Sequence, residues 1–214
     1  MADNYLENRY EETHGNHARK VVVKRVGPSL DTLLKSNRSY RGYDAKRAVP
    51  EETLKKIVSV NCWIPSARNQ QALRFKTVFN PDETGMVLRH IKLGAALPQL
   101  HLPFPGTEPQ AFIIVCSTMQ PNPMLYVDAG ISVQSMLLKA VELGLNGLVI
   151  AAFNKAEIRI ALQLPYDPLL IVAIGKGAEN IQCVPIEEKE SHAYYRQDGV
   201  HYVPKLQLDT LLIP

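Results

Sequence analysis

No stretch of this chain gathers the roughly 18–20 consecutive apolar residues that a bilayer-spanning helix needs. Residues 1–9 are polar and acidic, without the apolar core of a signal peptide. Together these absences point to a cytoplasmic protein and exclude membrane partners. Cysteine is scarce: Cys62, Cys116 and Cys183 are odd in number and widely spaced, which supports neither a disulfide framework nor a zinc cluster. Cys116 sits within an apolar run and reads as a packed thiol. The net charge is only +3, and the basic stretch at residues 20–25 is interrupted by three valines, so nucleic acid is not an expected partner. A small anionic molecule fits that charge equally well. Glycine-rich dinucleotide fingerprints are absent. The serines and histidines form no paired catalytic motif, and no nucleophile is assigned. His14 and His17 stand one helical turn apart, but no third ligand is near, so a solvated face is expected rather than a metal site.

What is present suffices for one compact domain with a sizeable core, since the chain has 214 residues and neither repeats nor a low-complexity linker. Residues 1–29 read as a charged N-terminal helical arm and residues 30–214 as a single domain. Ser29 or Asp31 caps a short helix through Leu33, Leu34 and Lys35. Pro50, followed by Glu51 and Glu52, starts a second helix whose apolar face holds Leu54, Ile57 and Val58; it stops before Pro65. A further helix follows Asn80-Pro81-Asp82, and then a proline-rich loop over residues 94–109 of the kind that covers a ligand or partner. Residues 111–116 form a continuous apolar run, as expected of a strand covered on both faces. Asp128 is expected to cap the longest helix, which ends at Gly144 and is apolar almost all round. Strands over residues 147–152 and 169–175 flank one more helix at residues 156–164.

Two polar stretches carry candidate chemistry. Asn37-Arg38-Ser39-Tyr40-Arg41-Gly42 places two guanidinium groups and a hydroxyl within four residues. If the backbone turns there, Arg38 and Arg41 make a fork for a phosphate, with Ser39 adding donors. Residues 65–71, Pro65-Ser66-Ala67-Arg68-Asn69-Gln70-Gln71, form an amide- and hydroxyl-rich loop between a helix and a strand. Such a loop can read the edge of a planar heteroaromatic ring; on composition alone, it reads first as an ordinary polar connection with a proline stop.

Taken together, Arg38-Ser39-x-Arg41, Pro65-Ser66-Ala67-x-Asn69-x-Gln71, the helix of residues 128–144 and the strand of residues 148–153 resemble the FMN-dependent nitroreductase family in order and spacing. The resemblance implies an α+β fold: a central, mostly antiparallel sheet flanked by helices, in an intertwined homodimer with FMN at the subunit interface. It implies that Arg38, Ser39 and Arg41 hold the phosphate, ribityl chain and pyrimidine edge. Pro65, Ser66, Ala67, Asn69 and Gln71 would approach the flavin from the other subunit. The backbone N–H groups of Ala151 and Ala152 would face flavin N5 and O4. Lys205 would reach the phosphate and Gln99 the ring.

The resemblance further implies a ping-pong cycle, in which NAD(P)H reduces FMN and an electron-poor acceptor such as a nitroaromatic or quinone reoxidises it. The cofactor carries the redox chemistry, which suits a chain without a catalytic triad. Related folds also perform reductive dehalogenation, substrate dehydrogenation or flavin fragmentation, or bind flavin without turnover, and fold alone does not choose among these. The sequence departs from the family pattern where Asn37 replaces an arginine, Ala72-Leu73 replaces Pro-Trp, and Gln207 replaces a second basic residue. Phosphate binding is then expected to lean on Arg38, Arg41 and Arg196.

Overall fold

A computed structural model describes residues 27–94 and 100–213. The expected N-terminal arm, except for its last residues, and Gln99 lie outside the described residues. Helix α1 (Leu30–Ser36) begins at Ser29, whose side chain accepts from the Thr32 N–H. Helix α2 (Glu51–Val58) begins after Pro50 and continues as a 3-10 turn over Ser59–Cys62. A second 3-10 turn, Ala67–Asn69, then leads into strand β1 (Leu73–Val78). Helix α3 (Pro81–Leu88) starts where the Asn80 side chain accepts from the Glu83 N–H. Strand β2 (Ala111–Ser117), helix α4 (Pro123–Glu142), strand β3 (Asn146–Ile150), helix α5 (Lys155–Ala161) and strand β4 (Asp167–Gly175) follow. The chain then forms β5 (Asn180–Ile186), β6 (Tyr195–Gln197), β7 (Val200–Leu206) and a short helix α6 (Leu208–Leu211).

Strands β1–β4 make an antiparallel sheet in the order β1-β2-β4-β3. Period-2 alternation sends successive residues to opposite faces, and both faces here are covered. Phe112, Ile114, Ile171 and Ala173 share one apolar cluster with Val87 of α3 and Ile158 of α5. Ile113, Val115, Val172 and Ile174 share another with Leu54 and Ile57 of α2 and Val133, Met136 and Leu137 of α4. This double burial is why β2 and β4 are unbroken apolar runs. Each fully buried side chain of this kind contributes about 1.5–3 kcal/mol of transfer free energy.

Helix α4 departs from the sequence reading in two ways. It starts six residues earlier than expected, at Pro123, where the Asn122 side chain accepts from the Leu125 N–H. Asp128 is therefore inside the helix and buried, not a cap. With 20 residues of apolar character, α4 also has the length and composition of a membrane span. Here it is a core element, burying Leu125, Ala129, Val133, Met136, Leu137 and Ala140. Its expected end stands: Gly144 has φ +76°, and its N–H donates to the Val141 carbonyl.

Non-local pairing gives the C-terminal residues their place. They form a second sheet in the order β5-β7-β6, with β7 parallel to β5 and antiparallel to β6.

Candidate functional site

Residues 37–43 form no helical turn; they touch the edge of β3 at Gly147 and then bridge Gly177 through Tyr43. Ser39 bridges Gly147 in parallel, and the Tyr40 N–H donates to the Gly147 carbonyl at 3.2 Å. Glycine is required at 147 by packing: a Cβ there would stand 2.5 Å from Leu137 Cδ2 and 2.7 Å from the Ala173 carbonyl oxygen. The Gly42 N–H donates to Glu179 Oε2 at 3.0 Å. The Arg41 N–H donates to the same oxygen, and the Arg196 guanidinium pairs with Glu179 Oε1. One largely buried carboxylate thus ties the 38–43 segment to the second sheet.

This arrangement opens a cavity of about 350 Å³, lined by Arg38, Ser39, Arg41 and Lys205 among others, with His201 and Gly147 on its wall. No carboxylate lines it among the described residues. Arg38 is held by the carbonyl end of α1, donating through Nη2 to Leu34 O at 2.5 Å and through Nε to Lys35 O at 3.0 Å. The guanidinium of Arg41 lies 4.8 Å from the centre of the Tyr194 ring. Its Nε is buried with no hydrogen-bond partner among the described residues, as are Arg196 Nε and His201 Nδ1. Buried polar atoms left without a partner are costly. Burial, and then Arg41 and Arg196, hold the His201 imidazole below its ordinary pKa, while Glu179 opposes them. Burial and then Glu179 push the Tyr40 phenol up.

The strand that walls this cavity leads to the next pair of candidates. Gly147 and Val149 of β3 line it, and Ala151 and Ala152 are exposed residues just beyond the strand's end. Among the described residues, neither N–H of that pair donates to a backbone carbonyl, though the Ala152 carbonyl accepts from the Lys92 N–H at 3.0 Å.

The 65–71 loop lies elsewhere. Pro65, Ser66 and Gln71 line a separate cavity of about 450 Å³, together with Cys62, Phe75, Asp128 and Ser132. The buried Asp128 explains the loop's shape, because its Oδ1 accepts from the Ala67 N–H at 2.8 Å. Ser66 Oγ accepts from the Gln71 N–H at 3.2 Å, closing the loop on itself. Inside it Arg68, Asn69 and Gln71 take φ of 52°, 53° and 48°, a left-handed conformation uncommon outside glycine, though asparagine tolerates it. In one chain, then, the two groups of candidate residues do not converge. Asp128 and Ser132 of α4 face the loop cavity, while Gln134 faces the cationic one.

A family model for nitroreductases matches residues 34–176. The chain belongs to the nitroreductase family. Three solved structures place this member by fold. An FMN-dependent nitroreductase from Clostridium difficile is 24% identical, with 69% of this chain and 87% of that one aligned at a TM-score of 0.58. A protein from Exiguobacterium sibiricum in complex with FMN is 18% identical, covering 72% and 91%, with a TM-score of 0.59. One from Staphylococcus epidermidis, put forward as an NAD(P)H:FMN oxidoreductase, is 18% identical over 73% and 91%, at 0.58. No curated protein matches the chain.

Within this family member, Arg38, Ser39 and Arg41 are joined by Lys205 from the far end of the chain. Arg196 does not join them: it stands behind Arg41, on Glu179 and against a smaller cavity. Gln207 is also turned away, its amide donating to Glu187 Oε1 at 2.8 Å. Sequence reasoning missed Glu179, His201 and Tyr194. The one available signal was the density of aromatic and basic residues from Tyr194 to Lys205.

Proposed function

We propose that this protein is an FMN-dependent NAD(P)H oxidoreductase acting on electron-poor acceptors, with residues 30–214 as one flavin-binding domain. The observation that carries the reading is the cationic cavity beside β3, lined by Arg38, Ser39, Arg41, His201 and Lys205 with no carboxylate among the described residues. A phosphate fits that donor set. Arg38 and Lys205 would hold it with charge and Ser39 with its hydroxyl and N–H, while Arg41 would supply a guanidinium whose backbone is already fixed by Glu179. The exposed Ala151-Ala152 backbone, continuous with the cavity wall, would offer N–H donors to a ring edge, with small side chains that permit close approach.

Bound FMN would supply the two-electron chemistry, accepting hydride from NAD(P)H and passing reducing equivalents to the acceptor. The protein's part is to bind, orient and exclude. The separation of the two cavities on different faces of α4 supports a homodimer in which the 65–71 loop of one subunit completes the flavin site of the other. Trp63 at 88% exposure, with Met124, Tyr126 and Val127 also exposed, gives the chain apolar surface for such an interface. Soluble partners then suffice: a second copy, NAD(P)H and a small acceptor.

The test is spectroscopic. Purified protein, reconstituted with FMN, should show a bound-flavin spectrum that NADH or NADPH bleaches anaerobically and a nitroaromatic or quinone restores. Protein that takes up no flavin would sink the reading. Flavin that binds but resists reduction would leave a binding protein, not an oxidoreductase.

A further inference from the structure

The cationic cavity contains one group whose charge is not fixed. His201, on β7, is 2% exposed and lines the cavity with Arg38, Ser39, Arg41 and Lys205. Its Nδ1 is closed off without a partner. The ring nonetheless forms part of the cavity wall. Resting on the FMN reading above, we propose that His201 contacts the flavin phosphate, setting the preference for FMN over unphosphorylated flavin and linking that preference to proton uptake.

The surroundings argue for this role from each side. Across the β6–β7 pairing His201 faces Arg196, and across the β5–β7 pairing it faces Ile181. Tyr194 stacks on its ring with centroids 5.2 Å apart, and Arg41 covers the Tyr194 ring in turn. Arg41 and Arg196 disfavour its protonation and Glu179 favours it; Arg38 and Lys205 add further positive charge around the cavity. A neutral imidazole is the form that tolerates those cations. An arriving phosphate dianion reverses the balance, because the protonated ring can then donate a charge-assisted hydrogen bond to it. His201 adds a further positive charge to the cavity only when protonated.

The direction with pH follows. Binding raises the His201 pKa from its lowered value in the free protein. The added affinity is complete below the free-protein pKa and is lost as pH rises through the bound-protein pKa. The phosphate's own second ionisation, near about 6, works the other way, so the signal is read against a variant that cannot titrate.

Full-length apoprotein should be titrated with FMN and with riboflavin between about pH 6 and pH 8, comparing wild type with His201→Gln. At the acid end His201→Gln should weaken FMN about tenfold and leave riboflavin unchanged, and the difference should shrink towards pH 8. A variant that keeps both the wild-type preference and its pH profile overturns the proposal. Should the variant not fold, the His201 ring protons of the wild type give the answer by NMR: their titration must move up with FMN and stay put with riboflavin. A midpoint that FMN leaves unmoved also overturns it. Wild-type protein that binds neither flavin overturns the FMN reading, and this proposal with it.

Discussion

The carboxylate of Asp128 accepts a hydrogen bond from the backbone N–H of Ala67 at 2.8 Å, joining the middle of the central helix to a loop 61 positions earlier. Asp128 is only 6% exposed, so the loop's left-handed turn is fixed by a buried anion and not by its own sequence alone. Asp128→Ala should destabilise the protein by about 1.5–3 kcal/mol, the usual range for a hydrogen bond to a charged group. Asp128→Asn, which keeps an acceptor, should cost less. Urea unfolding reads the stability, and FMN titration reads the loop; equal stability in all three proteins would show that the bond contributes nothing.

Glu179 invites a similar test with a larger effect. It accepts from the N–H groups of Arg41 and Gly42 and pairs with Arg196. Breaking a buried pair by removing one partner typically costs about 3–5 kcal/mol. Glu179→Ala is expected at the lower part of that range, since Arg196 retains some exposure. Thermal melts should show the loss, with Glu179→Gln falling between the two.

At Gly147 an added methyl group would meet Leu137 and the Ala173 carbonyl at distances no Cβ tolerates. Gly147→Ala should therefore cost about 1–3 kcal/mol through overpacking. It should also weaken FMN binding, because the edge that carries Ser39 must shift. A variant as stable as the parent would mean that β3 yields more easily than its packing indicates.

Chemical labelling separates the cysteines. Burial and then the nearby Asp167 push the Cys116 thiol up to about 11, whereas Cys183 is exposed. Near pH 8 iodoacetamide should label Cys183 well before Cys116, which should react only on unfolding. Peptide mass mapping of native and denatured protein checks the order.

The elements legible in the sequence are those governed by local rules. The unbroken apolar run from Ala111 to Cys116 could only be a strand covered on both faces, and Ser29, Asn80 and Gly144 mark helix ends by short-range geometry. The true start of α4 was also readable, from Asn122 followed by Pro123. Asp128 competed with that signal as a good capping residue, although its real partner is a backbone N–H outside the helix. Glu179 was beyond reach, and His201 was marked only by the density of aromatic and basic residues around it. The carboxylate meets Arg41 across 138 positions, and the parallel pairing of β5 with β7 places His201 in the cavity. Nothing in the neighbouring residues announces a contact of that range.

Glu179 has one negative charge to set against Arg41 and Arg196, with Arg38 and Lys205 unanswered by any cavity-lining carboxylate among the described residues. The cavity therefore holds a standing positive potential before any ligand arrives. That potential acts at a distance of several ångströms and is screened by salt over roughly a 10 Å Debye length at 0.1 M. Its consequence is kinetic: phosphorylated flavin should be captured quickly at low ionic strength and progressively more slowly as salt is added, while its rate of escape changes little.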